Sequence, residues 1–317
     1  MRAVQITEFG GPEVVAVREV PDPQPGPGQT LLHVARCGVN FADTLLRENA
    51  YLAPATLPLV PGSEVVGRTE DGRRLAAMIE SGGYAEKALL RDDAAFPVPD
   101  EVDDVAAVAL LIQGLTAWWL INHTGRVRSG ESVVVHAAAG GVGSLAVQLA
   151  KLSGAGRVIA TASTPEKREL ALSLGADAAV DPAAEDLTAA LCAANHGEQV
   201  DVVLEMTGGP VTDQSIAALA PFGRLAFYGM AGRVEPERVS PRALQRRSLT
   251  VSGFWLMNAF AQPATLAKAY AELAAQVAAG ELRVIHGGDH PMSEIQHVHE
   301  ELRSRRTTGK LVIDPSR

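Results

Sequence analysis

The sequence predicts an α/β protein built from a doubly wound parallel sheet and a second, strand-rich, barrel-like unit. Short apolar runs alternate with helical segments between residues 132 and 254, which is typical of a parallel sheet covered by helices on both faces. The first hundred residues instead contain short strands between turns, with prolines and glycines crowded into residues 21–28, a pattern that favours a barrel. With 317 residues, of which 47% are hydrophobic, the chain is long enough for two cores.

Composition and charge exclude several classes of function. The chain carries 28 basic and 37 acidic residues and a formal net charge of −9, so we expect no binding to nucleic acid or anionic membranes through bulk charge. Its two cysteines, Cys37 and Cys192, form neither a disulfide framework nor a metal-binding pair. The N-terminus alternates like a strand rather than a signal peptide, and the most apolar stretch, residues 105–121, is short and interrupted by polar residues. We therefore expect a cytoplasmic protein.

Strand signals dominate the N-terminal part of the chain. Residues 1–6 and 30–36 alternate apolar and polar side chains, and residues 60–67 form a turn that runs into another strand. Residues 103–111 and 116–123 then carry helical periodicity, which predicts two helices.

Strands and helices alternate from residue 132 onward, with no internal repeat. Strands are predicted at residues 132–137, 158–161, 200–204, 224–228, 249–254 and 310–314. Helices are predicted at residues 142–153, 165–174, 211–220 and 263–279. Because the strands between residues 132 and 254 are apolar and separated by helices, we expect one parallel sheet.

A glycine-rich turn follows the first of these strands. Residues 137–143 read Ala-Ala-Ala-Gly-Gly-Val-Gly, between a buried strand and a helix. Small residues let the backbone approach a pyrophosphate, and a helix N-terminus directs unpaired N–H groups at it. We predict a dinucleotide site at Ala139, Gly140, Gly141 and Val142; the alternative is a tight turn without a ligand.

The second strand-to-helix turn predicts which dinucleotide is bound. Enzymes that use NAD place an acid at this strand tip to bind both ribose hydroxyls. Residues 159–164 contain no acid here, and Glu166 lies in the first turn of the following helix, where an acid is a favourable helix-start residue. Ser163, Lys167 and Arg168 are instead suited to the 2′-phosphate of NADPH. The alternative is that Lys167 and Arg168 only form a solvated helix face.

These and further motifs resemble the zinc-independent quinone oxidoreductase branch of the medium-chain dehydrogenase/reductase superfamily. The motifs span nearly the whole chain and lie at residues 37–43 (Cys-Gly-Val-Asn-Phe-Ala-Asp), 61–64 (Pro-Gly-Ser-Glu), 82–86, 114–117, 137–143, 174–177 and 309–310. The resemblance implies a GroES-like catalytic domain at residues 1–111, completed by residues 258–317, and a Rossmann NADPH-binding domain at residues 112–257. It also implies a homodimer paired through the sheet edge of the cofactor domain.

The resemblance also predicts that the protein holds no metal. Zinc-dependent relatives bind their catalytic metal at positions that match Asn40, Ser63 and Gln113, and none of these is a good zinc ligand. Cys37 lies outside this pattern and is better explained as a small buried side chain. The four-cysteine structural lobe of the zinc-dependent relatives is missing too, since the chain has two cysteines.

A conjugated acceptor suits such a site, because a simple ketone needs strong stabilisation of its alkoxide. Charge that spreads into an enolate or hydroquinone can be supported by hydrogen bonds. The resemblance implies Asn40 as the donor beside the nicotinamide, and Asp43 as the group that orients Asn40 or its loop. Tyr51 matches the tyrosine with which related enoyl reductases place a proton; a packing role for Tyr51 is an equal alternative.

The resemblance implies further cofactor contacts, in the helix after residue 113 and at the tips of the later strands. They are Thr116, Thr207, Tyr228, Gly229, Met230, Gly253, Phe254 and Trp255. For Phe254 and Trp255, a packing role is an equal alternative.

The chain departs from the family at two places. Asp181 and Pro182 replace a tyrosine that helps to bind the 2′-phosphate, and the segment of residues 67–77 is short.

The leading hypothesis is therefore an NADPH-dependent reductase of a quinone or enone. An enoyl-thioester reductase of polyketide or fatty-acid type is the enzymatic alternative. An NADPH-binding protein with little turnover is the alternative from another class.

Overall fold

A computed structural model describes all 317 residues. The chain divides into two compact units: unit 1 combines Met1–Gln113 with Ala261–Arg317, and unit 2 is Gly114–Phe260. The strands, in chain order, are β1 (Arg2–Ile6), β2 (Val15–Glu19), β3 (Gln29–Val39), β4 (Glu64–Thr69), β5 (Arg74–Met78), β6 (Lys87–Arg91), β7 (Ala95–Pro97), β8 (Ser132–Val135), β9 (Arg157–Thr161), β10 (Ala178–Val180), β11 (Val200–Glu205), β12 (Leu219–Phe227), β13 (Thr250–Gly253), β14 (His286–Pro291) and β15 (Lys310–Asp314).

The α-helical segments are fewer than the strands and lie mainly in unit 2. They are α1 (Phe41–Arg47), α2 (Asp104–Ala109), α3 (Leu115–Trp119), α4 (Gly141–Leu152), α5 (Pro165–Ser173), α6 (Leu187–Ala194), α7 (Gly209–Ala218), α8 (Pro241–Arg247), α9 (Pro263–Ala278) and α10 (Ile295–Arg303).

Unit 1 is built on a seven-stranded sheet with the order β14-β15-β3-β4-β5-β7, in which β6 also pairs with β3. The long strand β3 is central because it pairs with β4, β6 and β15, always antiparallel. Its C-terminal half is buried, and Val39 and Cys37 lie opposite Leu311 and Ile313 of β15. The strand-rich unit predicted from the sequence is therefore present, and its last strand comes from the far end of the chain.

Unit 2 is a six-stranded, wholly parallel sheet with the order β10-β9-β8-β11-β12-β13. Every residue of β8 is buried, as expected for a strand covered on both faces. The strand order reverses between β8 and β11, which is the arrangement of a doubly wound nucleotide-binding sheet. Ligands of such sheets bind at the carboxyl ends of the strands beside this reversal.

Both stretches that were predicted to be helical, residues 103–111 and 116–123, are helical, and they join into one helix. Residues Asp104–Thr124 form one continuous helix, in which α2 and α3 are each followed by a π-helical turn, Leu110–Gly114 and Leu120–Thr124. The helix continues through Gly114 because burial of its apolar side chains outweighs the modest cost of a glycine inside a helix. The π-helical turns are wider than α-helical ones and keep the helix unbroken. By length and composition alone this helix could cross a bilayer, but 83% of its most apolar window is buried inside the protein.

Candidate functional site

The glycine-rich turn of unit 2 joins β8 to α4 at the point where the strand order reverses. Ala137 has a positive φ of 50°, and its carbonyl oxygen accepts a hydrogen bond from the Gly140 N–H at 2.9 Å. A Cβ atom on Gly143 would lie 2.3 Å from the same oxygen, so α4 approaches the turn more closely than any other residue would allow. No side chain caps the N-terminus of α4. A cradle of bare backbone with free first-turn N–H groups fits a pyrophosphate.

The next two helices along the chain, α5 and α6, differ from α4 because side chains cap their N-termini, whereas α7 again begins at an uncapped glycine, Gly208. The Thr164 hydroxyl accepts a hydrogen bond from the Lys167 N–H at 3.3 Å at the start of α5. The Asp186 carboxylate accepts one from the Ala189 N–H at 2.8 Å at the start of α6. At those two helices, side-chain oxygens thus accept hydrogen bonds from backbone N–H groups that a ligand would otherwise use.

The second turn, between β9 and α5, carries the residues predicted for the 2′-phosphate. Ser163 is exposed, and Lys167 is half-buried, so that burial lowers the pKa of its ammonium group. The Arg168 guanidinium donates from Nη1 to the Ala162 carbonyl at 2.9 Å and to the Asp181 carboxylate at 3.0 Å. Asp181 follows β10, so an acid from the next strand reaches the tip that the sequence predicts to be free of acids.

A buried carboxylate fixes the turn after β11. Glu205 is fully buried and accepts hydrogen bonds from the backbone N–H groups of Thr207 and Gly208 and, at 2.6 Å, from the Thr212 hydroxyl. Gly208 has a φ of 87°, in the left-handed region that favours glycine. This network holds the predicted cofactor residue Thr207 in a single turn geometry.

His136 ties three elements together beneath the same edge of the sheet. Its Nδ1 lies 2.9 Å from the Thr161 hydroxyl at the end of β9, and its Nε2 lies 2.8 Å from the Ser215 hydroxyl on α7. The ring is completely buried, and this burial lowers its pKa. His136 is therefore a neutral packing residue.

The other residues predicted to contact the cofactor in unit 2 lie at the ends of β12 and β13, apart from Thr116, which is buried on α3. The Tyr228 N–H donates to the Glu205 carbonyl at 2.9 Å, and the Phe254 N–H donates to the Phe227 carbonyl at 2.8 Å. These bonds align the tips of the last strands of the sheet, where Gly229, Met230, Gly253 and Trp255 also lie. The Phe254 ring stacks on Trp119, with centroids 6.1 Å apart, so packing accounts for this side chain within unit 2.

Unit 1 contains a buried polar cluster around Asn40, which directly precedes α1. The amide nitrogen Nδ2 donates to Oε1 of Glu64 at 2.6 Å. The amide oxygen accepts from Nε2 of Gln113 at 3.3 Å and from the ammonium group of Lys310 at 3.4 Å. All four side chains are at most 8% exposed.

Opposite charges fix the orientation of the Asn40 amide. Lys310 forms a buried ion pair with Glu64, whose second oxygen accepts the Ile112 N–H at 2.8 Å. The carboxylate lies on the nitrogen side of the amide and the ammonium group on its oxygen side. A flipped amide would place its oxygen beside the carboxylate and its N–H groups beside the ammonium group, which is unfavourable. The amide is preorganised before any substrate binds.

Asp43 supports the same residue from the backbone side. Its carboxylate accepts the Asn40 N–H at 2.8 Å and the Tyr84 hydroxyl at 2.7 Å. Burial raises the pKa of Asp43 to about 6, although both hydrogen bonds oppose that rise. Tyr51 lies further along, in the half-buried loop after α1.

Two of the three positions that match zinc ligands in zinc-dependent relatives, Asn40 and Gln113, are in hydrogen-bond contact. The third, Ser63, directly precedes Glu64, which accepts a hydrogen bond from Asn40. The structure has no group of three or more His, Cys, Asp or Glu side chains arranged to hold a metal ion. Cys37 is completely buried, and burial raises the pKa of its thiol.

No role is predicted from the sequence for Glu64, Lys310 or Glu205, although Glu64 and Lys310 belong to the motifs at residues 61–64 and 309–310. One signal was present: each is a charged residue at the end of an apolar strand, as in Lys-Leu-Val-Ile-Asp at residues 310–314. A charge within a buried strand requires a partner, but the sequence does not say which one.

Comparisons with known proteins agree with this geometry. Residues 141–275 match the family described as zinc-binding dehydrogenase. The chain is 33% identical to a quinone oxidoreductase of Pseudomonas aeruginosa, with 99% of each chain covered. It is 31% identical to a 2-haloacrylate reductase of a Burkholderia species, covering 99% of this chain and 98% of that one. A quinone oxidoreductase of Thermus thermophilus, solved alone and with NADPH, is 37% identical, with a TM-score of 0.89 over 99% of this chain and 100% of the other.

Proposed function

This chain belongs to the quinone oxidoreductase branch of the medium-chain dehydrogenase/reductase superfamily, and from that membership we propose that it is an NADPH-dependent reductase of quinones or other conjugated carbonyl compounds that works without zinc. The observation that carries the proposal is the Asn40 amide. It occupies a position at which zinc-dependent relatives place a metal ligand, and Glu64 and Lys310 hold it in one orientation. A fixed amide donor suits an acceptor whose charge is delocalised.

Unit 2 is the proposed cofactor domain. The uncapped N-terminus of α4 would hold the pyrophosphate, with the backbone of Gly140, Gly141 and Val142 around it. Ser163, Lys167 and Arg168 would hold the 2′-phosphate, and Thr207 and the tips of β12 and β13 would line the nicotinamide half. NADPH supplies a hydride when bound.

Unit 1 is the proposed catalytic domain, and Asn40 is its catalytic residue. One N–H of the amide is used by Glu64, and the second is the donor that would face a substrate oxygen. That hydrogen bond strengthens as negative charge develops on the oxygen, which lowers the barrier without a metal. Asp43 would act as a positioning residue because it holds the Asn40 backbone.

A second class of substrate is conjugated carbon–carbon double bonds. The similarity to a 2-haloacrylate reductase favours conjugated carbon–carbon double bonds, including enoyl thioesters, as acceptors. Such a reduction ends with a proton delivered to carbon, and Tyr51 is the candidate donor. Hydride transfer to a quinone leaves a hydroquinone anion, whose oxygen takes up a proton from solvent, so quinone reduction does not require Tyr51.

The test is steady-state NADPH oxidation with 1,4-quinones, short enones, 2-haloacrylate and enoyl-CoA esters, with and without a zinc chelator. We expect turnover with at least one conjugated acceptor and no effect of the chelator.

Asn40→Ala should lower kcat on the order of 100-fold, while Asn122→Ala, an exposed control in unit 2, should leave it unchanged. Tyr51→Phe should slow enoyl reduction and spare quinones. A protein that binds NADPH but oxidises it with no acceptor would contradict the proposal and favour a binding protein.

A further inference from the structure

The pair formed by Arg168 and Asp181 occupies the carboxyl edge of the sheet of unit 2. Arg168 Nη1 donates both to the Ala162 carbonyl, one residue beyond β9, and to the Asp181 carboxylate, one residue beyond β10. β9 and β10 are parallel neighbours at the end of the sheet. The guanidinium group therefore links two adjacent strand tips beside Ser163.

Asp181 is itself held in place. Its second oxygen accepts the Ala183 N–H at 2.9 Å, which closes a turn of the kind that Asp side chains form with their own backbone. The carboxylate therefore does not swing freely toward or away from Arg168. The pair is partly exposed, with 23% of the Arg168 side chain and 43% of the Asp181 side chain accessible.

Only one of the two aspartates that flank β10 lies at this edge. Asp177 precedes β10, accepts the Val158 N–H at 2.7 Å and pairs with Lys151. Because parallel strands have all their carboxyl ends on one side, Asp177 belongs to the opposite edge. Asp181 therefore brings negative charge from β10 to the tip where a 2′-phosphate would bind, in addition to Glu166 in the first turn of α5.

We propose that Asp181 is a specificity-determining residue that weakens the preference of this site for NADPH over NADH by pairing with Arg168; this inference rests on the proposed cofactor. A dianionic phosphate is attracted by Arg168 and repelled by Asp181, and it must share the guanidinium donors with the carboxylate. The ribose of NADH carries no such charge, so Asp181 does not repel it. The same acid therefore lowers affinity for one dinucleotide and spares the other.

The experiment measures the dissociation constants of NADPH and NADH by fluorescence titration, and of 2′-AMP and 5′-AMP by competition. Asp181→Asn removes the charge and leaves one oxygen for two donors, so we expect NADPH and 2′-AMP to bind about fivefold more tightly. NADH and 5′-AMP should change by less than about twofold. Glu185→Gln is the matched control, since it removes one negative charge from the same loop at an exposed position.

Arg168→Ala and the double variant test whether the effect passes through Arg168. Arg168→Ala should weaken NADPH and spare NADH, and the gain from Asp181→Asn should be smaller in the double variant, where only the direct repulsion of the phosphate by Asp181 is relieved. The proposal is overturned if Asp181→Asn weakens NADPH, tightens both dinucleotides equally, or keeps its full gain without Arg168. Wild-type protein that binds neither dinucleotide overturns this inference together with the proposed cofactor. Protein that binds NADPH as described but turns over no acceptor overturns the proposed reaction alone.

Discussion

At the scale of single residues, the proposed site depends on an amide held between two buried charges. Glu64 and Lys310 are 0% and 1% exposed, and neither has another charged partner within hydrogen-bond distance. A buried ion pair contributes little net stability, yet removing one partner leaves an uncompensated charge in the core. The pair therefore serves the orientation of Asn40 more than the stability of unit 1.

The first prediction concerns Lys310. Lys310→Met should destabilise unit 1 by about 3–5 kcal/mol, measured as a shift in urea unfolding followed by circular dichroism. The double variant Glu64→Leu with Lys310→Met should recover much of that loss, because it buries no unpaired charge. Turnover of the double variant should stay low, since the Asn40 amide has lost both charges that orient it. Wild-type turnover in the folded double variant would show that these charges do not position Asn40.

A second residue-scale prediction concerns pH. The pKa of Asp43 is raised by burial from 3.8 to about 6, so the folded state favours the protonated acid. Its contribution to stability is therefore full below about pH 4 and is lost as pH rises through 6, by at most about 3 kcal/mol. Urea midpoints of the wild type minus those of Asp43→Asn should fall over that range.

His299, in the same unit, should show the opposite slope. Its ring lies 6.1 Å from that of Tyr84, and its Nδ1 contacts the buried Arg47. Burial, reinforced by the charge of Arg47, lowers its pKa from 6.5 to about 3. Its contribution is present above pH 6.5 and lost as pH falls toward 3, so the difference between wild type and His299→Gln should shrink on acidification. Parallel slopes for the two variants would contradict both assignments.

At the scale of elements, the contact between α4 and the turn before it limits what Gly143 can become. Gly143→Ala would place a methyl group 2.3 Å from the Ala137 carbonyl oxygen, and the helix would have to shift away from the turn. We expect a loss of about 1–3 kcal/mol in stability and at least about tenfold weaker NADPH binding. Gly26→Ala is the control, because that glycine meets only the Gln29 side chain, at 3.4 Å. Equal effects in both variants would mean that the close approach is unimportant.

Some of the secondary-structure elements could be predicted from the sequence, and others could not. Five of the six parallel strands of unit 2 were predicted because each is an apolar run beside a helix, whereas the three-residue β10 was not. β15 was predicted with its observed bounds. β14, with the sequence His-Gly-Gly-Asp-His-Pro, has no apolar pattern and becomes a strand through pairing with β15. α10 was missed because His299 interrupts its buried face, although Ile295, Val298 and Leu302 recur at helical spacing. Tertiary contacts overrode local preference in β14.

The proposed site likewise combines residues that could be predicted from the sequence with residues that could not. The glycine-rich turn, Asn40 and Asp43 were predicted, since each motif is contiguous in sequence. The Arg168–Asp181 and Lys310–Glu64 pairs were not, because their members are 13 and 246 residues apart. The topology of each sheet, rather than any local pattern, brings these partners together.

At the scale of the whole molecule, β13 is one of the two edge strands of the sheet of unit 2, with β10 at the other edge. Because the Phe254 N–H donates to Phe227, the alternate N–H groups of Gly253 and Val251 point away from β12. An edge with unpaired N–H groups is suited to pairing with a second copy. This supports the proposed homodimer.

The prediction is that the protein sediments as a dimer and that Val251→Pro, which removes an outward donor, yields monomers that still bind NADPH. Val251→Ala keeps the donor and should remain dimeric. A monomeric wild type, or a dimer that persists in Val251→Pro, would exclude this edge as the interface.

The division of unit 1 into two chain segments has a consequence for synthesis. β15 pairs with β3, yet the ribosome completes all of unit 2 before it makes β15. Unit 2 can fold while the chain is still growing, whereas β3 keeps an open edge until β15 emerges. Until then Glu64 has no ammonium partner, and the Asn40 amide has nothing on its oxygen side but Gln113. The polar centre of unit 1 is therefore the last part of the protein to assemble, although most of its residues are made first.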